Sequence, residues 1–104
     1  MARGGDRVML MSKYKTLKVR FEDLASKVNN NYALVGKEYD LAMDRIYDCE
    51  QAMKEIRKFL YSWEQKDSKN YESIKKEAVS LLSIAQEQIE KLLKYAFAKP
   101  AFID

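Results

Sequence analysis

Between residues 6 and 99 the sequence holds a single glycine, Gly36, and no proline. Glycine and proline are the strongest local interrupters of regular structure, so their near-absence leaves long stretches free to run as helix. Lys, Glu, Leu, Ala, Met and Gln fill those stretches, and all are good helix formers. No run of residues sustains a period-two alternation, so no strand is expected.

The apolar residues then say where the helices bury themselves. They recur at spacings of three and four, which places them on one side of a helix. A first series is Leu10, Tyr14, Leu17, Phe21, Leu24 and Val28. A second is Tyr32, Val35, Tyr39, Ala42, Ile46, Cys49, Met53, Ile56, Leu60 and Trp63, in strict heptad spacing. A third is Tyr71, Ile74, Ala78, Leu81, Leu82, Ala85, Ile89, Leu92, Leu93 and Ala96.

Two junctions divide the series. Between Gln65 and Asn70 the apolar pattern lapses, and Asp67, Ser68 and Asn70 are good helix N-caps. A tight turn is expected there, between antiparallel helices of about 30 residues, each about 45 Å long. The other junction is weaker. Asn29, Asn30, Asn31 and Gly36 all disfavour helix, yet the stripe passes from Val28 to Tyr32 with a spacing that a continuous helix absorbs as a stutter. A break is the favoured reading and continuity the alternative. Pro100 should end the last helix, since the residue before a proline avoids helical geometry.

The expected fold is therefore all-α, with helices over roughly 9–30, 36–66 and 69–98 in one domain spanning 9–99. Residues 1–8, with Gly4 and Gly5, are expected as a disordered basic tail and 100–104 as a C-terminal tail. Met9 and Met11 stand as alternative starts to Met1. Met43, Ala52 and Phe59 broaden the second stripe. Ile84 and Tyr95 flank the third on one side, Val79 and Phe97 on the other. A broad apolar face suits a bundle better than a two-stranded coil. The pattern predicts an antiparallel three-helix bundle or a long helical hairpin, assembling as a homodimeric bundle that covers the surplus apolar surface.

Composition narrows the chemistry. The chain has 104 residues, enough for one domain, with 47% hydrophobic and 34% charged residues. It has no histidine, which removes the commonest general base and transition-metal ligand together. Cys49 is the sole cysteine and sits mid-stripe, so it reads as a buried structural thiol and not as a nucleophile. Three glycines supply no phosphate-binding loop. No cofactor, metal or catalytic residue is expected. The longest apolar run, Val8 to Met11, is far short of the roughly 20 residues a membrane span needs, so a cytoplasmic, non-membrane protein is expected.

Several clusters remain to be weighed. Asp40, Asp44 and Asp48 share a helix face at spacing four, a spacing at which carboxylates can hold a divalent metal, but Lys37, Lys54 and Lys58 nearby favour a solvated charged face. Glu64-x-x-Asp67 and Glu87-x-x-Glu90 read likewise as surface charge. Trp63 closes the second stripe and reads as an anchor for the following turn. Tyrosine is abundant, at seven residues. Tyr14, Tyr32, Tyr39 and Tyr71 fit the stripes as core or rim, whereas Tyr47 and Tyr61 lie off the seam, on the side of Lys54 and Lys58. Tyrosine favours protein interfaces, and Tyr47, Lys54, Lys58 and Tyr61 form the candidate partner interface. The first twenty residues hold six Lys/Arg against Asp6 alone. Arg3, Arg7, Lys13, Lys15, Lys18 and Arg20 are accordingly candidate nucleic-acid contacts, although they spread around the polar arc. The leading expectation is a non-enzymatic helical scaffold, adaptor or regulatory protein that meets a protein partner or its own copy. A nucleic-acid-binding accessory protein is the alternative.

Overall fold

A computed structural model describes residues 2–63 and 71–98, with side chains from Asp6 onward. Helix α1 spans Ala2–Asn29, α2 Lys37–Tyr61, α3 Tyr71–Glu90 and the short α4 Leu93–Ala96. The three long helices pack pairwise on one another, and α4 packs on α1. The result is a three-helix bundle with principal extents of 58 × 19 × 16 Å. Asp6 meets Tyr71 and Arg20 meets Glu90, so α1 and α3 run parallel. Helix α2 runs against both.

One core fills the space between the helices. Leu10, Tyr14, Leu24 and Val28 come from α1, Ala42, Cys49, Met53, Ile56 and Leu60 from α2, and Ile74, Ala78, Leu82, Ala85 and Ile89 from α3. These residues lie on the stripes read from the sequence, and Met43, Ala52 and Phe59 pack partly buried against them. The hairpin alternative is replaced by a break, because the chain leaves helix between Asn29 and Lys37.

Asn31 organises that break. Its side-chain oxygen accepts from the Ala33 amide at 3.0 Å, closing a local turn that competes with helix. Its Nδ2 donates to the carbonyl oxygens of Tyr95 and Ala98, both at 2.9 Å. Carbonyls at a helix C-terminus lack intrahelical partners, so one asparagine both stops α1 and ties it to the end of α4. Gly36 then enters α2 with φ 60° and ψ −129°, a conformation that side-chain-bearing residues rarely adopt.

The break corrects the start of the second stripe. Tyr32 and Val35 are 91% and 71% exposed, while Leu34 enters the core. Outside a helix, a three-and-four spacing no longer selects a side, and Tyr32 and Val35 lie in the loop. Tyr39, in the first turn of α2, is 46% exposed and lies at the rim of the core. At the other end, α1 opens at Ala2, earlier than the expected residue 9, so residues 2–8 belong to the helix. Tyr71 donates a hydrogen bond to Asp6, and Lys75 lies 3.5 Å from the same carboxylate, fastening this first part of α1 to α3. The expected third helix is interrupted at Lys91 and Leu92 with no glycine or proline there. The amides of Leu92 and Tyr95 bond carbonyls three residues back, a tighter turn that keeps Leu92, Tyr95 and Ala96 buried.

Trp63 is buried at the end of α2, edge-on to Phe59 at 6.3 Å and to Tyr71 at 6.1 Å. It thus bridges the end of α2 and the start of α3, the anchoring position expected from sequence. The turn expected at 65–70 and the tail 100–104 lie outside the described residues. Among the described residues no helix is long and apolar enough to cross a membrane.

Candidate functional site

The face of α2 opposite its buried stripe gathers the candidate interface residues. Counting round the helix, Tyr47, Lys54, Lys58 and Tyr61 sit well away from Ala42, Cys49, Ile56 and Leu60. Tyr47 is 60% and Tyr61 57% exposed, and both lysines are exposed. Arg57, not singled out from the sequence, joins them. Its guanidinium lies 5.6 Å from the Tyr61 ring centroid, a cation–π contact. The signal was present, since residues four apart on a helix are neighbours. Lys54, Arg57, Lys58 and Tyr61, with Ser62, line one shallow groove on this surface.

The N-terminal basic set does not stay together. Helix α1 divides it between two sides of the bundle. Lys18 turns toward α2 and lines a groove with Tyr14, Phe21, Glu22, Glu50, Lys54 and Arg57. Lys13 lies on the α3 side, in a groove of about 460 Å³ that includes Leu10, Thr16, Val79 and Gln86. Arg20 is also on that side, where its Nη2 lies 3.1 and 3.2 Å from the Glu90 carboxylate oxygens. Lys15 is exposed, Arg7 is half-buried, and the Arg3 side chain lies outside the described residues. The structure therefore brings Lys18 to Lys54 and Arg57, and separates it from Lys13 and Arg20. Glu22 and Glu50 in the same groove offset part of its positive charge.

The acidic line Asp40, Asp44, Asp48 is exposed along α2, and Arg45 lies 3.5 Å from Asp48. Among the described residues no three Cys, Asp or Glu side chains converge as metal ligands would. Glu87 is exposed and Glu90 is held by Arg20, whereas Glu64 and Asp67 lie outside the described residues.

Among the described residues two titrating groups are perturbed. Cys49 is fully enclosed, and burial pushes its thiol up to about 12, with Asp48 and Glu50 adding to the shift. A nucleophilic cysteine needs the opposite, a thiolate stabilised near neutral pH. Asp6 is held below the ordinary carboxylate range, first by the hydrogen bond from Tyr71 and then by Lys75. Asp6 fastens α1 to α3, and Cys49 lies within the core.

What this surface offers chemically is contact. Tyrosine rings present large apolar areas with polar tips, and cations beside them pair with carboxylates or aromatic faces. No family model, curated protein or solved structure matches this chain.

Proposed function

We propose that this protein is a non-enzymatic scaffold or regulatory protein that makes helix-to-helix contacts with another chain through the outward face of α2. The observation that carries the reading is the placement of Tyr47 and Tyr61. Both are more than half exposed, with Tyr61 beside Lys54, Arg57 and Lys58, on a helix whose opposite face already completes the core. Tyrosine and arginine are enriched at protein interfaces and concentrate binding energy there. The single buried thiol suits a reducing compartment, so the proposal places the protein in the cytoplasm.

The test changes Tyr47→Ser and Tyr61→Ser together. Both sites are exposed, so circular dichroism should report unchanged helicity. Association, with a second protein or with itself, should weaken by about tenfold or more, as expected when interface aromatics are removed. Unchanged association would remove the reading.

A second reading, contact with nucleic acid, draws on the convergence of Lys18 with Lys54 and Arg57. It requires binding that falls steeply with added salt and disappears when Lys18, Lys54 and Arg57 are neutralised. Binding that is absent or indifferent to salt eliminates it.

A further inference from the structure

Eight residues follow a second heptad stripe along α2: Lys37, Asp40, Asp44, Tyr47, Gln51, Lys54, Lys58 and Tyr61. Their spacing alternates three and four from end to end. Every one of them is exposed, so the stripe runs unbroken for about 36 Å along the outside of the bundle. Its charges are sorted. Past Lys37 at the start, Asp40 and Asp44 occupy one half, Lys54 and Lys58 the other with Glu55 at their edge, and the neutral Tyr47 and Gln51 lie between. None of these four charges forms an ion pair among the described residues, while neighbouring Asp48 is taken by Arg45.

Within one molecule this sorting is only partly offset, by Lys37 three residues from Asp40 and by Glu50 and Glu55 near Lys54 and Lys58. Like charges four residues apart on a helix repel each other, and both the Asp pair and the Lys pair have that spacing. The helix dipole accounts for Asp40 in the first turn and Lys58 in the last turn. Its influence fades beyond those turns, so it does not account for Asp44, while Lys54 shares a groove with Glu50 four residues before it.

We infer that this stripe pairs with the same stripe of a second copy of the chain, the two α2 helices lying antiparallel about a two-fold axis. The inference rests on the reading that the outward face of α2 makes protein contacts, and it names the partner. An isologous interface must be self-complementary, and an antiparallel pair of these stripes is. Asp40 falls opposite the partner's Lys58, and Asp44 opposite the partner's Lys54. Tyr47 meets the partner's Gln51 beside the axis, and Lys37 reaches the ring of the partner's Tyr61. Each relation occurs twice by symmetry. A parallel pairing would instead set acid against acid and base against base. Glu50, near the axis, turns into the groove with Lys18 and Lys54. A seam made of exposed ion pairs is weak and salt-sensitive, so the dimer forms and dissociates with protein concentration.

The experiment measures self-association by sedimentation equilibrium for the full chain and two charge-reversed variants, Asp40→Lys/Asp44→Lys and Lys54→Glu/Lys58→Glu. The wild type should dimerise with concentration and lose the dimer as salt rises. Each variant alone should associate about tenfold or more weakly, at unchanged helicity. Mixing the two variants should restore dimers, because every opposed pair then regains unlike charges. A dimer indifferent to both reversals overturns the inference, as does failure of the mixture to recover. A wild type that stays monomeric, yet binds a different protein through Tyr47 and Tyr61, overturns self-pairing and leaves the proposed function standing. A wild type that dimerises and loses the dimer on either reversal, but not with Tyr47→Ser and Tyr61→Ser, overturns the role given to the two tyrosines under the proposed function and leaves the seam standing on its charges.

Discussion

Helix α2 carries two heptad-spaced stripes on opposite faces, with opposite fates. The inner stripe, Ala42, Cys49, Ile56 and Leu60, is sealed from solvent. The outer stripe, Lys37 through Tyr61, is exposed at every position. Spacing alone does not separate them, because both repeat every three and four residues. Side-chain chemistry separates them. Apolar groups leave water at a gain that grows with buried area, whereas an unpaired charge is costly to bury. The difference teaches that periodicity locates faces, and only composition on each face says which one folds the chain and which remains available to a partner.

The comparison breaks most visibly under truncation. Ile56→Ala on the inner face removes fully enclosed methyl and methylene groups and leaves a cavity in the core. It should destabilise the protein by about 2–5 kcal/mol, a large share of the stability of a domain this size. Gln51→Ala on the outer face should change stability by no more than about 0.5 kcal/mol. Alanine is also the better helix former, so a slight gain is expected there. Urea denaturation of dilute protein measures both. Similar losses at the two sites would mean that the outer stripe is not solvated in the folded chain.

The same distinction explains how far the sequence could be read. The stripes over Leu10–Val28, Ala42–Trp63 and Ile74–Ile89 gave the three helices and their buried sides, because within a helix the spacing dictates direction. The reading failed where helix failed. Tyr32 and Val35 continue the heptad numerically, but Asn31 turns the chain, and Leu34 is the residue that reaches the core. The local sequence marks Asn31 only as a poor helix former. Its bonds to Tyr95 and Ala98 join residues more than sixty apart in sequence, and no local pattern encodes them. The opening of α1 at Ala2 has a similar cause, since Asp6 is secured by Tyr71 and Lys75 from the far side of the chain. For the candidate site, exposure of Tyr47, Lys54, Lys58 and Tyr61 followed from their distance from the inner stripe. The scattering of the basic N-terminal set followed from the same geometry, with Lys18 and Arg20 carried to different sides. The association of Lys18 with Lys54 and Arg57 depends on how α1 seats against α2, which neither helix specifies alone.

Cys49 sharpens the comparison without altering the fold at neutral pH. The inner face holds it as a neutral thiol with a pKa pushed up to about 12, against 9.0 for an ordinary thiol. Burial opposes formation of the thiolate, and the unfolded chain offers no such opposition. The sign follows from linkage. The stability contributed by the protected thiol is fully present below about 9, and is lost progressively as the pH climbs from there toward about 12. Other groups titrate in the same alkaline range, so the comparison must be with Cys49→Ala, which shares all of them. Between about pH 7 and about pH 10 the wild type should lose stability relative to the variant. The native thiol should also react with alkylating reagents far more slowly than the thiol of the urea-unfolded chain, because access and ionisation are restricted together. A constant stability difference across that range, with rapid native alkylation, would mean that the inner face of α2 is open to water at its midpoint. The two stripes would then differ only in composition and not in burial.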